Sequence, residues 1–168
     1  MCGIVGAVCE REVYGILIEG LKRLEYRGYD SAGLSLLNNG NINTQKTIGK
    51  VVDLENLFGE SLPSGTVGIA HTRWATHGVP SSINSHPHTS GPISVVHNGI
   101  IENHNELRKE ITEQGIKFSS NTDSEVIAHL INLNVCTSNS FREAVTKALL
   151  RLDLSLIHIS EPTRHRLI

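Results

Sequence analysis

The hydrophobic positions of this chain change period several times, and each change marks an element. Val13, Leu17, Leu21 and Leu24 recur at spacings of four, four and three, which predicts a helix over 12–25. Residues 3–9 mix small and β-branched side chains and read as a buried strand. Residues 34–37 and 42–48 read as short strands around Asn38-Asn39-Gly40-Asn41, a good hairpin turn. Val51, Leu54, Leu57 and Phe58 mark a short helix, and 66–72 and 93–97 read as strands. Between these two strands lies a polar stretch, 73–92, with Trp74, Thr76, His77 and prolines; such a long loop in a compact domain is functional or disordered.

Helices are predicted over 102–114 and 123–133, joined across a short strand at 116–118. Val126, Ile127, Leu130 and Ile131 form the apolar face of the second. Ser140 with Glu143 makes a capping box for a last helix, with Ala144, Ala148 and Leu149 inward. Strands come as neighbours, without regular alternation with helices. That order argues for an α+β fold with a largely antiparallel sheet.

Composition narrows the function. A chain of 168 residues is one domain or part of one. A net charge of −2 and few aromatics give no basis for nucleic-acid binding. No apolar run approaches the roughly 20 residues that span a bilayer, and no secretory signal is visible. Cys2, Cys9 and Cys136 are too scattered for a disulfide framework and fit a reducing, cytoplasmic compartment. Six of the nine histidines fall between His71 and His104, and His86 with His88 is the pair that a metal would use. Without HExxH, CxxC or an acidic ligand at helical spacing from a histidine, no metal and no cofactor is expected.

Five places carry candidate chemistry. Met1 is trimmed when the next residue is small, and Cys2 would then hold a thiol and a free α-amine. Their ordinary pKa values, about 8.5 and about 7.7–8.0, lie near neutrality, where a nucleophile and its base work. The alternative is a small buried residue at a strand start. Tyr26-Arg27-Gly28-Tyr29-Asp30-Ser31-Ala32-Gly33 follows a helix, either near the site or as an Arg–Asp pair ordering a turn. His71-Thr72-Arg73-Trp74-Ala75-Thr76-His77-Gly78 ends a strand, with an arginine fork suited to a carboxylate and Trp74 able to cover a small polar ligand. Arg73 pairing with a surface acid, with Trp74 in the core, is the plainer reading. His97-Asn98-Gly99 offers an amide and an adjacent backbone N–H, an oxyanion hole or a plain turn. Asp123 could bind an ammonium group or cap the following helix.

Taken together and in order, these motifs resemble the glutaminase domain of the isomerising glutamine:fructose-6-phosphate aminotransferases, within the class II N-terminal-nucleophile amidotransferases. The resemblance runs over 1–152. It implies a four-layer α-β-β-α N-terminal-nucleophile hydrolase fold, with the later strands missing. It implies Cys2 as nucleophile with its own α-amine as base, Asn98 and Gly99 as oxyanion hole, Arg73 on the glutamine carboxylate and Asp123 on its amino group. Trp74, Thr76 and His77 match the glutamine loop, and Arg27 a supporting residue near the nucleophile. It implies hydrolysis of glutamine to glutamate and ammonia through a Cys2 thioester. In the longer, homo-oligomeric enzymes of the family that ammonia converts fructose-6-phosphate to glucosamine-6-phosphate, through an isomerase domain absent here. Two rival readings are the glutaminase domain of another class II amidotransferase and a catalytically silent fragment. Residues 153–168 break the pattern and read as a foreign or disordered tail.

Overall fold

The computed structural model describes residues 2–28, 30–59, 61–74 and 81–154, with only the backbone of Arg27. Its main sheet is built from β1 (Gly3–Val8), β2 (Ser31–Asn38), β3 (Asn41–Ile48) and β4 (Val67–Arg73), in the order β1-β4-β2-β3. Every pairing in it is antiparallel. Helix α1 (Tyr14–Leu24) lays Tyr14, Leu17, Ile18 and Leu21 onto one face of this sheet. Helix α2 (Val51–Asn56) adds Val51 and Leu54 beside it. Each fully buried leucine in this cluster is worth about 1.5–3 kcal/mol, and Leu17, Leu21 and Leu54 are all completely enclosed.

The opposite face of the sheet meets a second, two-stranded sheet of β5 (His88–Ser90) and β6 (Ile93–Val95). Helix α4 (Glu125–Val135) packs behind that hairpin, flanked by α3 (His104–Glu113) and α5 (Phe141–Leu149). Ile93, Val126, Ile127, Leu130 and Ile111 centre a second apolar cluster there. The layers therefore run helix, sheet, sheet, helix, and the α+β fold with four layers is what the chain adopts.

β2 explains how the layers join. Ala32, Leu34 and Leu36 point to the α1 side. The intervening Gly33 and Ser35 face the second sheet, where the Ser94 hydroxyl donates to Ser35 Oγ at 2.7 Å. A Cβ on Gly33 would overlap the main-chain carbonyl of His86. Glycine is therefore required here by close approach of two backbones.

Four local expectations change. β2 starts at Ser31, three residues before the predicted strand. The polar stretch 73–92 contains β5. Residues 116–118 form no strand, and Phe118 packs against His129 and Arg108 instead. Leu149 is 48% exposed, whereas Ala144 and Ala148 are buried. One half of the predicted capping box of α5 forms: Ser140 Oγ accepts from Glu143 N at 3.2 Å, whereas the Glu143 carboxylate accepts at 2.9 Å from Asn139 N, one residue before the cap. Asp153 and Leu154 run beside residues 101–103, with Glu102 N donating to Asp153 O at 2.8 Å. The rest of the predicted tail lies outside the described residues.

Candidate active site

Sheet register brings the first motif residues together. Gly3 pairs with Thr72 across β1 and β4, so Cys2 lies beside Arg73 and Trp74, at the end of β4. Gly3 N donates to Thr72 Oγ1 at 3.2 Å, which ties down the start of β1. The Trp74 N–H donates to Cys2 Sγ at 3.3 Å. Gly28 lies against the same corner, with Trp74 N and Cβ 3.0 Å from where its own Cβ would stand. Asp30 N also donates to Arg73 O at 3.2 Å. The Tyr26–Gly33 motif thus packs its backbone against the strand end that carries Arg73.

The second sheet supplies the other wall. Asn98 follows β6, and its Nδ2 donates to the main-chain carbonyl of Cys2 at 3.0 Å. Asn98 Oδ1 faces His71 Nε2 at 2.8 Å. Asp123 precedes α4; its Oδ2 accepts from Ile101 N at 2.9 Å and its Oδ1 accepts from Ser124 Oγ at 3.2 Å. Two acceptor directions of this carboxylate are therefore used, and a carboxylate has about four.

Cys2, Arg73, Trp74, Asn98, Gly99 and Asp123 all line one cleft of about 570 Å³. That volume is in the range of small-molecule sites. The cleft offers a thiol, a cation and an anion together. Arg27 closes the short 3₁₀ turn Glu25–Arg27 just before Gly28. Thr76 and His77 lie outside the described residues.

Sequence reasoning attached no role to several residues that line this cleft, among them His71, Asn84, His97 and Ser124. His97 Nδ1 and Ser124 Oγ are 3.0 Å apart and link the Asn98 turn to the Asp123 turn. A histidine directly before the Asn-Gly pair was the available signal.

At the floor of the cleft lies a layer of imidazoles, two of which, His71 and His86, line it. The His71 and His86 rings stack at 4.3 Å, and His86 meets His88 edge-on at 4.5 Å. Burial is the main cause that lowers all three pKa values, to about 4 for His71 and His88 and further for His86. Arg73 adds to this for His71, the two flanking rings for His86, and Lys46 for His88. Near neutral pH these rings are uncharged packing and hydrogen-bonding groups. Among the described residues no group of three His, Cys, Asp or Glu is arranged to hold a metal ion.

Glu125 anchors the Asp123 turn from below. It is 1% exposed. Its carboxylate accepts from Ser119 N at 2.8 Å, Ser120 N at 2.7 Å and both serine hydroxyls. Burial alone would raise its pKa, but His129 and these serine donors outweigh that and hold it well below the usual carboxylate range.

A two-sheet sandwich between helices, with a cysteine opening the first strand at the cleft, is the arrangement of the N-terminal-nucleophile hydrolase fold. In agreement, the fold matches that of glutamine phosphoribosylpyrophosphate amidotransferase from B. subtilis with a TM-score of 0.75 at 24% identity, covering 92% of this chain and 33% of that one. Residues 71–149 match the family described as the glutamine amidotransferase domain. The chain is 52% identical over 166 residues to the isomerizing glutamine–fructose-6-phosphate aminotransferase of Acinetobacter baylyi, covering 96% of this chain and 27% of the relative. With the enzyme of the same name from Vibrio parahaemolyticus it shares 54% over 154 residues, 91% of this chain and 25% of the relative. The chain spans about a quarter of the length of these relatives. No helix among the described residues is long and apolar enough to cross a membrane.

Proposed function

We propose that this chain hydrolyses glutamine to glutamate and ammonia, with Cys2 as nucleophile. One observation carries the reading: a thiol, a guanidinium and a carboxylate line the same cleft as an amide donor held against Cys2. Free glutamine carries one negative and one positive charge at its backbone end. Arg73 binds its carboxylate and Asp123 its ammonium group, with Trp74, Thr76 and His77 as further glutamine-binding residues. Arg27 supports the corner that holds the nucleophile.

The reaction is covalent catalysis in two steps. With Met1 removed, the Cys2 α-amine takes the thiol proton, and sulfur attacks the side-chain amide carbon. Negative charge develops on the amide oxygen, where Asn98 Nδ2 and the Gly99 N–H donate. The proton passes to the leaving nitrogen, ammonia departs, and a γ-glutamyl thioester remains. Water, deprotonated by the same amine, cleaves the thioester to glutamate and restores the thiol.

We propose further that 1–152 is the glutaminase unit, with Asp153 and Leu154 still paired to it beside residues 101–103, and that the predicted tail begins after them. In the complete natural protein, a cytoplasmic homo-oligomer, the ammonia would aminate fructose-6-phosphate to glucosamine-6-phosphate. The 52–54% identity to aminotransferases named for fructose-6-phosphate, against 24% to the phosphoribosylpyrophosphate enzyme, supports that acceptor.

The test is glutamate release by the purified protein, with intact mass and N-terminal analysis of the same sample. Turnover that requires a free Cys2 amine and disappears in Cys2→Ala is expected. Undiminished turnover by a protein retaining Met1 would overturn the reading.

A further inference from the structure

We infer that His71 is a positioning residue: its Nε2–H holds the Asn98 side chain with the NH₂ group turned toward Cys2. The inference rests on the glutaminase reading for its consequence in catalysis, but its geometry stands on hydrogen-bond chemistry alone.

The main-chain carbonyl of Cys2 is only an acceptor. The Asn98 atom 3.0 Å from it must therefore be the amide nitrogen. The other end of that amide, Oδ1, is also only an acceptor, and it lies 2.8 Å from His71 Nε2. Two lone pairs cannot share that contact, so Nε2 carries the hydrogen. The opposite tautomer would set lone pair against lone pair at Nε2. It would also place an N–H at Nδ1, which is buried and has no partner among the described residues.

The ring is well braced for this role. His71 lies on β4, paired with Ile4 of β1 on one side and Gly33 of β2 on the other. The parallel ring of His86 covers one of its faces at 4.3 Å. His71 itself is 1% exposed. Asn98, by contrast, sits on an exposed turn. A rigid donor in the core thus fixes the rotation of a surface amide. One amide hydrogen is spent on the Cys2 carbonyl, and the second is left to meet charge developing at the reacting carbon. A half-turn of the amide would present oxygen to that charge instead.

The test uses the full-length protein. His71→Met keeps comparable bulk and removes the donor; kcat for glutamine hydrolysis should fall about 10–100-fold, part of the 10²–10³ that a lost oxyanion donor costs. KM should stay within about twofold. His71→Gln, which can donate an N–H to Oδ1, should recover most of the loss. In an Asn98→Ala background His71→Met should cause no further loss, because its effect runs through that amide. Losses that multiply in the double variant would overturn the inference, as would a fully active His71→Met. Nitrogen NMR of the His71 ring reads the tautomer without any turnover. An Nε2–H ring at neutral pH is expected, and an Nδ1–H ring sinks the inference even in an active enzyme. A protein that shows the Nε2–H ring but hydrolyses no glutamine would overturn the glutaminase reading and leave the His71–Asn98 pairing intact.

Discussion

The side-chain amide of Asn98 donates to the main-chain carbonyl of Cys2 at 3.0 Å, so a turn that follows the second sheet holds the residue that opens the first. This contact ties the proposed nucleophile to the proposed oxyanion donor. Asn98→Ala is expected to lower kcat for glutamine hydrolysis by about 10²–10³. The exposed contact contributes only about 1 kcal/mol, but the buried His71 Nε2–H left without its acceptor costs about 1–3 kcal/mol more, so the melting temperature should fall by roughly 5–15 °C. A saturating-glutamine assay beside a melting curve separates the two effects. A large loss of stability with little loss of kcat would assign Asn98 to structure.

Asp123 should act on binding more than on rate. Its Oδ2 accepts from Ile101 N and its Oδ1 from Ser124 Oγ. Asp123→Asn keeps an oxygen for the first of these while removing the charge that would pair with an ammonium group. Hydrogen bonds to charged groups are worth about 1.5–3 kcal/mol, which predicts a KM for glutamine raised about 10- to 100-fold. Initial-rate kinetics across glutamine concentration check this, with kcat expected to change little. An unchanged KM would remove Asp123 from the binding site.

At Gly33 the main sheet closes on the backbone of His86. Gly33→Ala would drive a methyl group into the His86 carbonyl and to 3.1 Å from the Gln45 carbonyl, both backbone atoms that cannot rotate away. Overpacking of this kind typically costs about 1–3 kcal/mol. It should also displace His86 and, through the stacked ring, His71. Urea unfolding should show the loss of stability. Wild-type stability would mean that the two sheets have slack at this point.

What the sequence revealed and what it concealed both follow from periodicity. Helix α1 was legible because only one of its faces is buried. Most of β2 was readable as a strand, but not its start, because both of its faces are covered. Its alternation of Ala32, Leu34 and Leu36 with Gly33 and Ser35 is one of size, not of polarity. β5 was hidden inside a polar stretch because His88 and Ser90 are buried as hydrogen-bonded polar residues. His88 Nε2 lies 2.8 Å from Thr122 Oγ1, and Ser90 Oγ lies 2.9 Å from His129 Nδ1. The candidate site residues stood out as motifs because their types suit amide chemistry. His71 lay inside one of those motifs without a role. Only the fold brings it to Asn98, which is 27 positions away in the chain.

The imidazole layer predicts a steep acid transition. In the unfolded chain the three histidines have an ordinary pKa of 6.5, whereas in the folded protein His71 and His88 are lowered to about 4 and His86 further. Between those values the unfolded chain binds more protons than the folded one. Stability is therefore complete above about pH 6.5 and falls as pH drops toward 4. Each ring contributes up to about 1.4 kcal/mol per pH unit, so three give about 4. Domains are typically stable by only about 5–15 kcal/mol, so unfolding should set in between about pH 6 and 4. Glu125 also has a lowered pKa, so its contribution is present above the ordinary 4.5 and is lost only below it. The histidines therefore dominate the acid limb. Urea unfolding at half-unit steps from pH 7.5 to 5 measures the slope directly. A slope under about 1 kcal/mol per pH unit would mean that the three rings accept protons in the folded state and that the layer between the sheets is open to water.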